Sequence, residues 1–226
     1  MGGLYRGYAR QFRSINRMDA AEFARADVGY GLVYDRFLPA DRNVRILDLG
    51  CGGGHFLHYV KSKGFSNHLG VERDAELAAA VKTGVTSSVV EADLFRFLES
   101  TGAGTWSIVA LNDVLEHFPK DDGVRLLELV RKALPGEGRV LIKTINMSSP
   151  FAIRSRYADL THESGYTEES LVALLNVAGL RALHTGPEGP PKLNRRMRLA
   201  FSPFYRIADV KVPRVLTLNL ICIAAK

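Results

Sequence analysis

Between residues 44 and 146, short apolar runs alternate with stretches of helical pattern, and this alternation constrains the fold more than any other feature of the sequence. Strands that alternate with helices along a chain form a mostly parallel sheet with helices on both faces. The apolar runs have the β-branched composition and the bounding turn residues of strands, and they cover residues 44–50, 68–72, 87–93, 106–114 and 138–146. We therefore predict an α/β protein.

The regular alternation is confined to the middle of the chain. We predict that residues 1–43 form an N-terminal helical cap and that residues 44–226 form the main domain. Residues 147–167 are polar and too long for an ordinary connection, so we expect a functional loop there. Residues 187–214 form a basic insertion, in which Pro203 is expected to interrupt any single long helix.

One further helix and two strands are predicted in the C-terminal part. The helix follows Thr167, whose hydroxyl suits an N-cap, and ends near Gly179. The strands lie around residues 181–185 and within residues 215–226.

The charge is unevenly distributed along the chain, whose formal net charge is +6. The net charge is +3 over residues 1–45, −4 over residues 46–180 and +7 over residues 181–226. Such asymmetry indicates an anionic partner. The arginines of the basic insertion alternate with apolar residues, which suits a phosphate-bearing acceptor or a peripheral contact with a membrane surface. The alternative is an insertion that covers the site and exposes a solvated basic face.

The composition also indicates a compartment. The sequence contains no run of about 18 apolar residues, which a membrane-spanning helix needs, and its arginine-rich N-terminus lacks the apolar core of a secretory signal. Cys51 and Cys222 have no metal-ligand spacing and are expected to be reduced thiols. We predict a cytoplasmic protein, with the inner membrane surface as an option, and no bound metal.

A cluster of glycines lies where the first predicted strand passes into a helix, within the segment DLGCGGG of residues 48–54. Glycine weakens regular structure, so the cluster indicates that a ligand approaches the backbone closely. The dinucleotide fingerprint G-x-G-x-x-G is not met, because its third glycine would fall on His55. A tight turn that packs a helix on a strand is the alternative.

Polar residues end the next three predicted strands. Glu72 ends the second strand, Asp93 ends the third and is followed by Leu94, and Asn112 with Asp113 ends the fourth. The carboxyl ends of parallel strands share one edge of the sheet, where open α/β folds bind ligands. A carboxylate after the second strand is suited to ribose hydroxyls.

Five segments together resemble the class I S-adenosylmethionine-dependent methyltransferases: ILDLGCGGG, GVERD, EADL, ALNDVLEHF and LPGEGRVLI. The resemblance implies a Rossmann-like sheet of seven strands, with the last strand antiparallel beside the fifth. It also implies S-adenosylmethionine as the cofactor, S-adenosylhomocysteine as the product, and ten cofactor-binding residues: Asp48, Gly50, Cys51, Gly52, Gly54, Glu72, Arg73, Asp93, Leu94 and Asn112.

The acceptor is indicated by a weaker resemblance. Residues 155–180 are similar to methyltransferases of bacterial surface-polysaccharide and other glycan assembly, which implies a sugar hydroxyl, on a glycan or a nucleotide-linked sugar. Methylation of an alcohol is helped by a base, and His117 and His162 are the candidates. Their alternative roles are packing or capping for His117 and a hydrogen bond within the loop for His162.

Other functions remain open at this stage. A small-molecule O-methyltransferase acting on a quinone or a phenol shares the VLEH segment, and a non-catalytic module would bind S-adenosylmethionine without turnover. A nucleic-acid methyltransferase is disfavoured, because the fourth strand ends in LNDV rather than in an Asn/Asp-Pro-Pro-aromatic segment. An NAD-dependent oxidoreductase is disfavoured by the glycine spacing. The oligomeric state is not predicted.

Overall fold

A seven-stranded sheet organises the computed structural model, which describes residues 17–226. The part of the predicted N-terminal cap before residue 17 lies outside the described residues. The strands are β1 (Ile46–Leu49), β2 (His68–Glu72), β3 (Val89–Glu91), β4 (Ile108–Asn112), β5 (Arg139–Ile145), β6 (Arg181–Pro187) and β7 (Asn219–Ala225).

Helices connect and cover these strands. They are α1 (Ala20–Tyr34), α2 (His55–Ser62), α3 (Ala75–Gly84), α4 (Leu94–Ser100), α5 (Lys120–Ala133), α6 (Ala152–Ala158), α7 (Glu168–Val177) and α8 (Pro191–Ile207). Short 3₁₀ turns cover Asp35–Phe37 and Leu115–His117. The predicted loop 147–167 therefore contains one short helix, α6. Within residues 17–226, no helix has the length and apolar character needed to cross a membrane.

The strand order is β3-β2-β1-β4-β5-β7-β6. Strands β1 to β5 pair in parallel, whereas β7 is antiparallel to both β5 and β6. The predicted fold class, with the last strand antiparallel beside the fifth, is confirmed. Because β1 lies between β2 and β4, the order reverses there and opens a crevice at the carboxyl ends of these strands.

The core lies on both faces of the sheet, because successive strand residues point to opposite sides. Leu47, Val109 and Ile142 pack in one cluster with apolar residues of α4, α5 and α7. Ile46 and Leu141 pack in another with aromatic residues of α1 and α2. Burial on both faces explains why the strands are apolar runs rather than alternating patterns.

Helix α8 corrects one prediction. Pro203 lies inside this 17-residue helix and does not interrupt it. A proline removes the N–H that would bond the carbonyl four residues earlier. Here the Ser202 hydroxyl donates to that carbonyl, of Leu199, at 3.1 Å. The neighbouring side chain thus replaces the missing donor. Thr167, in contrast, caps α7 as predicted, within a capping box with Ser170.

Candidate active site

A cavity of about 730 Å³ lies at the carboxyl ends of β1, β2 and β4, bounded by α1 and α6. This volume is typical of a small-molecule site. All the predicted site residues line the cavity except Gly54. The lining residues among them are Asp48, Gly50, Cys51, Gly52, Glu72, Arg73, Asp93, Leu94, Asn112, His117 and His162.

The glycine turn has a left-handed backbone. The φ angles of Gly50, Gly52 and Gly54 are +70°, +51° and +75°, a region that L-residues with a side chain rarely adopt. A Cβ on Gly54 would lie 2.8 Å from Val81 Cγ1, and one on Gly50 would lie 3.0 Å from a methyl carbon of Val114. The chain's own side chains therefore require glycine at these two positions, in addition to the predicted approach of a ligand.

Glu72 fixes the glycine turn to the end of β2. Its buried carboxylate accepts hydrogen bonds from the Gly52 N–H and the Asp74 N–H, each at 2.9 Å. Burial raises the pKa of Glu72, and these backbone donors oppose the rise. A carboxylate has about four acceptor positions, so Glu72 retains capacity for a ligand's hydroxyl groups.

Asp48 and Cys51 are buried residues that line the cavity. Burial raises the pKa of Asp48 to about 8, and the nearby Glu72 adds to the rise. Asp48 is therefore mainly protonated at neutral pH and becomes ionised if a cation binds beside it. Burial also raises the pKa of the Cys51 thiol, with Asp48 contributing, so this cysteine is not a nucleophile. Both cysteines are free and buried.

The side-chain amide of Asn112 has a hydrogen-bond partner for its oxygen but not for its nitrogen within residues 17–226. The Tyr34 hydroxyl, from α1, donates to Asn112 Oδ1 at 2.7 Å. Asn112 Nδ2 is buried and has no hydrogen-bond partner among the described residues. An unpaired buried donor is costly, so its position at the cavity wall suits an acceptor atom of a ligand.

Two other predicted residues sit at the rim. The carboxylate of Asp93 caps α4 by accepting from the N–H groups of Phe95 and Arg96 at 3.1 Å. Leu94 beside it is buried and offers an apolar wall. This pairing of a carboxylate with an apolar surface is the environment that an adenine ring needs.

Lys143, with Asp113 and Glu188, forms a charged wall of the cavity that the sequence analysis did not predict. Its Nζ lies 2.7 Å from Asp113 Oδ2 and 3.7 Å from Glu188 Oε1. Burial acts to lower the pKa of Lys143, but Asp113 and its other neighbours outweigh that effect and hold the pKa well above its usual value. Asp113 has a φ of +56°, a strained conformation for a residue with a side chain. The signal in the sequence was a lysine inside the apolar run of β5.

A hydrogen-bonded chain orients His117, which ends the 3₁₀ turn after β4. The Thr161 hydroxyl donates to Asp159 Oδ1 at 2.6 Å, and Thr161 Oγ1 lies 2.9 Å from His117 Nδ1. A hydroxyl has one hydrogen and the carboxylate takes it, so Nδ1 must be the donor to Thr161. His117 Nε2 therefore carries the lone pair. Burial lowers the pKa of His117, and His162 adds to the fall, so the ring is neutral at pH 7.

His162 lies against His117, with ring centroids 4.8 Å apart. Its Nδ1 is 3.3 Å from the Arg156 carbonyl oxygen. Three possible metal-ligand atoms, one each from His117, Asp159 and His162, lie within 4.8 Å of one another. Three such ligands are the set that a catalytic zinc ion uses. The absence of a metal stays a prediction that a chelator can test.

Glu116 is a third buried carboxyl group of the cavity, after Asp48 and Glu72. It accepts a hydrogen bond from the Thr144 hydroxyl at 2.9 Å. Burial raises the pKa of Glu116, and the charge of Asp113 adds to the rise. Its backbone carbonyl also accepts from the N–H groups of Glu163 and Ser164. Glu116 thus anchors the segment that carries Asp159 and His162.

The strand order, the antiparallel β7 and the cavity at the point of reversal define a Rossmann-like fold of the methyltransferase type. A family model described as a methyltransferase domain matches residues 21–185, more than half of the chain. The chain belongs to this family of methyltransferase domains. A search among curated proteins found no match.

Solved structures have the same fold. A SAM-dependent methyltransferase from Archaeoglobus fulgidus is 21% identical, with a TM-score of 0.74 over 97% of this chain and 100% of that one. The Burkholderia thailandensis 1,6-didemethyltoxoflavin-N1-methyltransferase, solved with its substrate and S-adenosylhomocysteine, is 16% identical, with a TM-score of 0.63 over 99% and 87%.

A third similar structure is that of mitomycin 7-O-methyltransferase. It is 18% identical, with a TM-score of 0.63, and the match covers 94% of this chain and 56% of that one. These proteins methylate oxygen in one case and nitrogen in the other, as their names state. At such identities the likeness concerns the fold, and the acceptor has to be argued from the site.

Proposed function

We propose that this protein is an S-adenosylmethionine-dependent O-methyltransferase whose acceptor is a hydroxyl group of a sugar, in a glycan or a nucleotide-linked sugar. The observation that carries the proposal is the chain from Asp159 through Thr161 to His117. It places a neutral imidazole with a lone pair on Nε2 at the cavity wall.

The cavity residues fit the cofactor. Asp48 and the turn Gly50–Gly54 would hold the methionyl part, Glu72 the ribose hydroxyls, and Asp93 with Leu94 the adenine. Cys51 and Arg73 would line the same end, and Asn112 the methyl-donor end. Asn112 Nδ2, which has no partner within residues 17–226, and the raised pKa of Asp48, which a bound ammonium would lower, support this fit. When bound, S-adenosylmethionine supplies an electrophilic methyl group on a sulfonium.

The base acts on the acceptor. When the acceptor oxygen takes up the methyl group that S-adenosylmethionine would supply, its hydroxyl proton would pass to His117 Nε2. Asp159, through Thr161, keeps the ring in the right tautomer and stabilises its protonated form. His162 stays the second candidate base, from the same cluster.

The charged wall favours a sugar over a quinone or a simple phenol. Lys143, Asp113 and Glu188 offer donors and acceptors in the cavity, and the ring of Tyr30 lies beside Lys143, whose Nζ is 6.0 Å from its centroid. Hydroxyl groups can use the hydrogen-bonding positions that these residues do not already use on one another, whereas an apolar ring cannot. The resemblance of residues 155–180 to glycan methyltransferases points the same way.

The experiment is transfer of a labelled methyl group to a panel of nucleotide sugars, glycans, phenols and quinones. We expect transfer to a sugar hydroxyl and a stable methyl ether as product. Transfer to phenols alone would favour the small-molecule alternative. Binding of S-adenosylmethionine without transfer to any member would favour the non-catalytic module.

A further inference from the structure

Helix α8 is an amphipathic helix on the surface, and no other element within residues 17–226 covers its outer side. None of its residues is buried. Leu193, Phe204 and Ile207 fall on one side of the helix and are 48%, 66% and 85% exposed. The same helix carries five cationic residues and no acidic one: Lys192, Arg195, Arg196, Arg198 and Arg206.

Helix α6 has one side toward the cavity and an apolar side toward solvent. Its inner side, including Ser155 and Ala158, lines the cavity. Its outer side and the residues after it are apolar: Ile153, Tyr157 and Leu160 are 69%, 71% and 77% exposed. Ile153 and Tyr157 are four residues apart and share one side of the helix, and Leu160 follows two residues after its end. A short helix next to the cavity, together with the segment after it, thus exposes three large apolar side chains.

Aromatic contacts join the two helices into one surface. The rings of Phe151, just before α6, and Phe201 of α8 lie 6.0 Å apart at an angle of 84°. Phe201 is in turn 6.2 Å from Phe204. The Tyr205 hydroxyl donates to the Ser148 carbonyl oxygen at 3.3 Å. We call the exposed sides of α6 and α8 the basic-apolar face.

We propose that the basic-apolar face binds the surface of an anionic lipid bilayer. Apolar side chains beside a cationic stripe are what a helix needs to lie in the headgroup region, where the first insert and the second meet lipid phosphates. The proposal rests on the proposed function in one respect: with α6 against the bilayer, the acceptor sugar is one carried on a lipid.

Two other occupants fit the face less well. A nucleic acid would pair with the arginines but would leave Ile153, Tyr157 and Ile207 in water. A second copy of the chain would bring like charges together. Of these three occupants, only an anionic bilayer satisfies both the charge and the apolar side chains of this surface.

The test is flotation of the full chain with vesicles, without cofactor or acceptor, so that its result is independent of methyl transfer. Vesicles of phosphatidylcholine are compared with vesicles that also contain phosphatidylglycerol. We expect binding to the anionic vesicles only. The variant F204S/I207S should weaken it by at least about tenfold, and R195Q/R196Q/R198Q by roughly a hundredfold, since each arginine near the surface contributes about 1 kcal/mol.

Matched controls are V28S/L32S, which removes two exposed apolar residues from α1, and R181Q, which removes an exposed arginine from β6. Both should bind as the parent does. The variant Phe204→Trp should show a blue-shifted emission on vesicle binding, since the single native tryptophan, Trp106, is buried and does not report on the surface.

Several results would overturn the proposal. These are no binding to anionic vesicles, equal loss in the controls, or binding of an RNA homopolymer with no vesicle binding. Another is a dimer that F204S/I207S dissociates while vesicle binding stays unchanged, because the face would then join two copies.

Discussion

The arrangement around His117 illustrates how single atoms decide chemistry. Asp159 is an obligatory acceptor, and Thr161 has only one hydrogen to give, so the tautomer of His117 follows from hydrogen-bond counting. Sequence reasoning identified His117 from its place after β4. It could not identify Asp159 and Thr161 as its partners, because they lie more than 40 residues further on and meet it only through tertiary packing.

We predict that His117→Gln lowers turnover by about 10²- to 10⁴-fold and leaves the affinity for S-adenosylmethionine unchanged. Because burial lowers the pKa of His117, the rate should rise with pH along an acid limb whose midpoint lies below 6.5. Thr161→Val should lower the rate and shift that limb. Steady-state rates across pH and calorimetric titration measure both effects.

His184→Gln, outside the cavity, is the control and should keep full activity. Activity should also survive treatment with a chelator, because no metal is predicted. Full activity in His117→Gln, or loss of activity on chelation, would contradict the role of His117 as a base.

A second prediction concerns Asp48. Its pKa is about 8 in the folded protein and about 3.9 in an unfolded chain. The raised pKa contributes stability that is fully present below pH 4 and is lost as pH rises through 8. Asp48→Asn should therefore reduce the fall in unfolding free energy between pH 5 and pH 8 by about 1–3 kcal/mol. Urea denaturation of the cofactor-free protein at the two pH values measures this, and an unchanged fall would contradict it.

At the level of elements, local sequence patterns predict the helices and strands. Where the structure differs from the prediction, a single side chain explains the difference. The pattern predicted β1, β2, β4 and β5 because each is a largely buried apolar run, and it predicted β3 although only Val89 of that strand is buried. Pro203 was misread because the compensating donor, Ser202, has no signal of its own in a sequence. Gly54 shows the reverse case: a glycine attributed to ligand binding also permits the start of α2.

We predict that Gly54→Ala destabilises the protein more than Gly64→Ala does. Both residues have left-handed φ angles, so both substitutions cost about 1–2 kcal/mol in backbone strain. Only at Gly54 does the new Cβ also clash, with Val81, whereas at Gly64 it meets open space. Thermal or urea unfolding of the two variants measures the difference. Equal destabilisation would show that Val81 moves aside at no cost.

At the level of the whole molecule, the place of the last strand, antiparallel beside the fifth, was predictable only through a resemblance, because alternation along a chain does not specify which strands are neighbours. The order of the other strands was not predicted. The site could be predicted where it lies at strand ends, as at Glu72 and Asn112. The contributions of Tyr34 from α1 and Lys143 from β5 could not be predicted, because these residues reach the site from distant parts of the chain.

We predict that the folded molecule is stabilised by S-adenosylhomocysteine. A ligand at about 100 times its Kd adds about 2.7 kcal/mol to the unfolding free energy, which raises the Tm of a domain of this size by roughly 5–10 °C. Glu72→Gln should weaken binding by about 1–3 kcal/mol through loss of a charge-assisted bond, and so reduce the increase.

Scanning calorimetry with and without S-adenosylhomocysteine makes this measurement, and Glu91→Gln, an exposed glutamate on β3, is its control. An increase in Tm of the same size in Glu72→Gln as in the parent would mean that Glu72 only holds the glycine turn.

Helix α6 has the cavity on one side and the outer surface on the other. Ser155 and Ala158 line the cavity, and Ile153 and Tyr157 are exposed on the outer surface. A ligand on either side that shifts the helix therefore changes the affinity on the opposite side, and thermodynamic linkage requires the factor to be the same in both directions. If the outer surface binds a bilayer as proposed, a cofactor or acceptor that shifts α6 would therefore change the affinity for that bilayer.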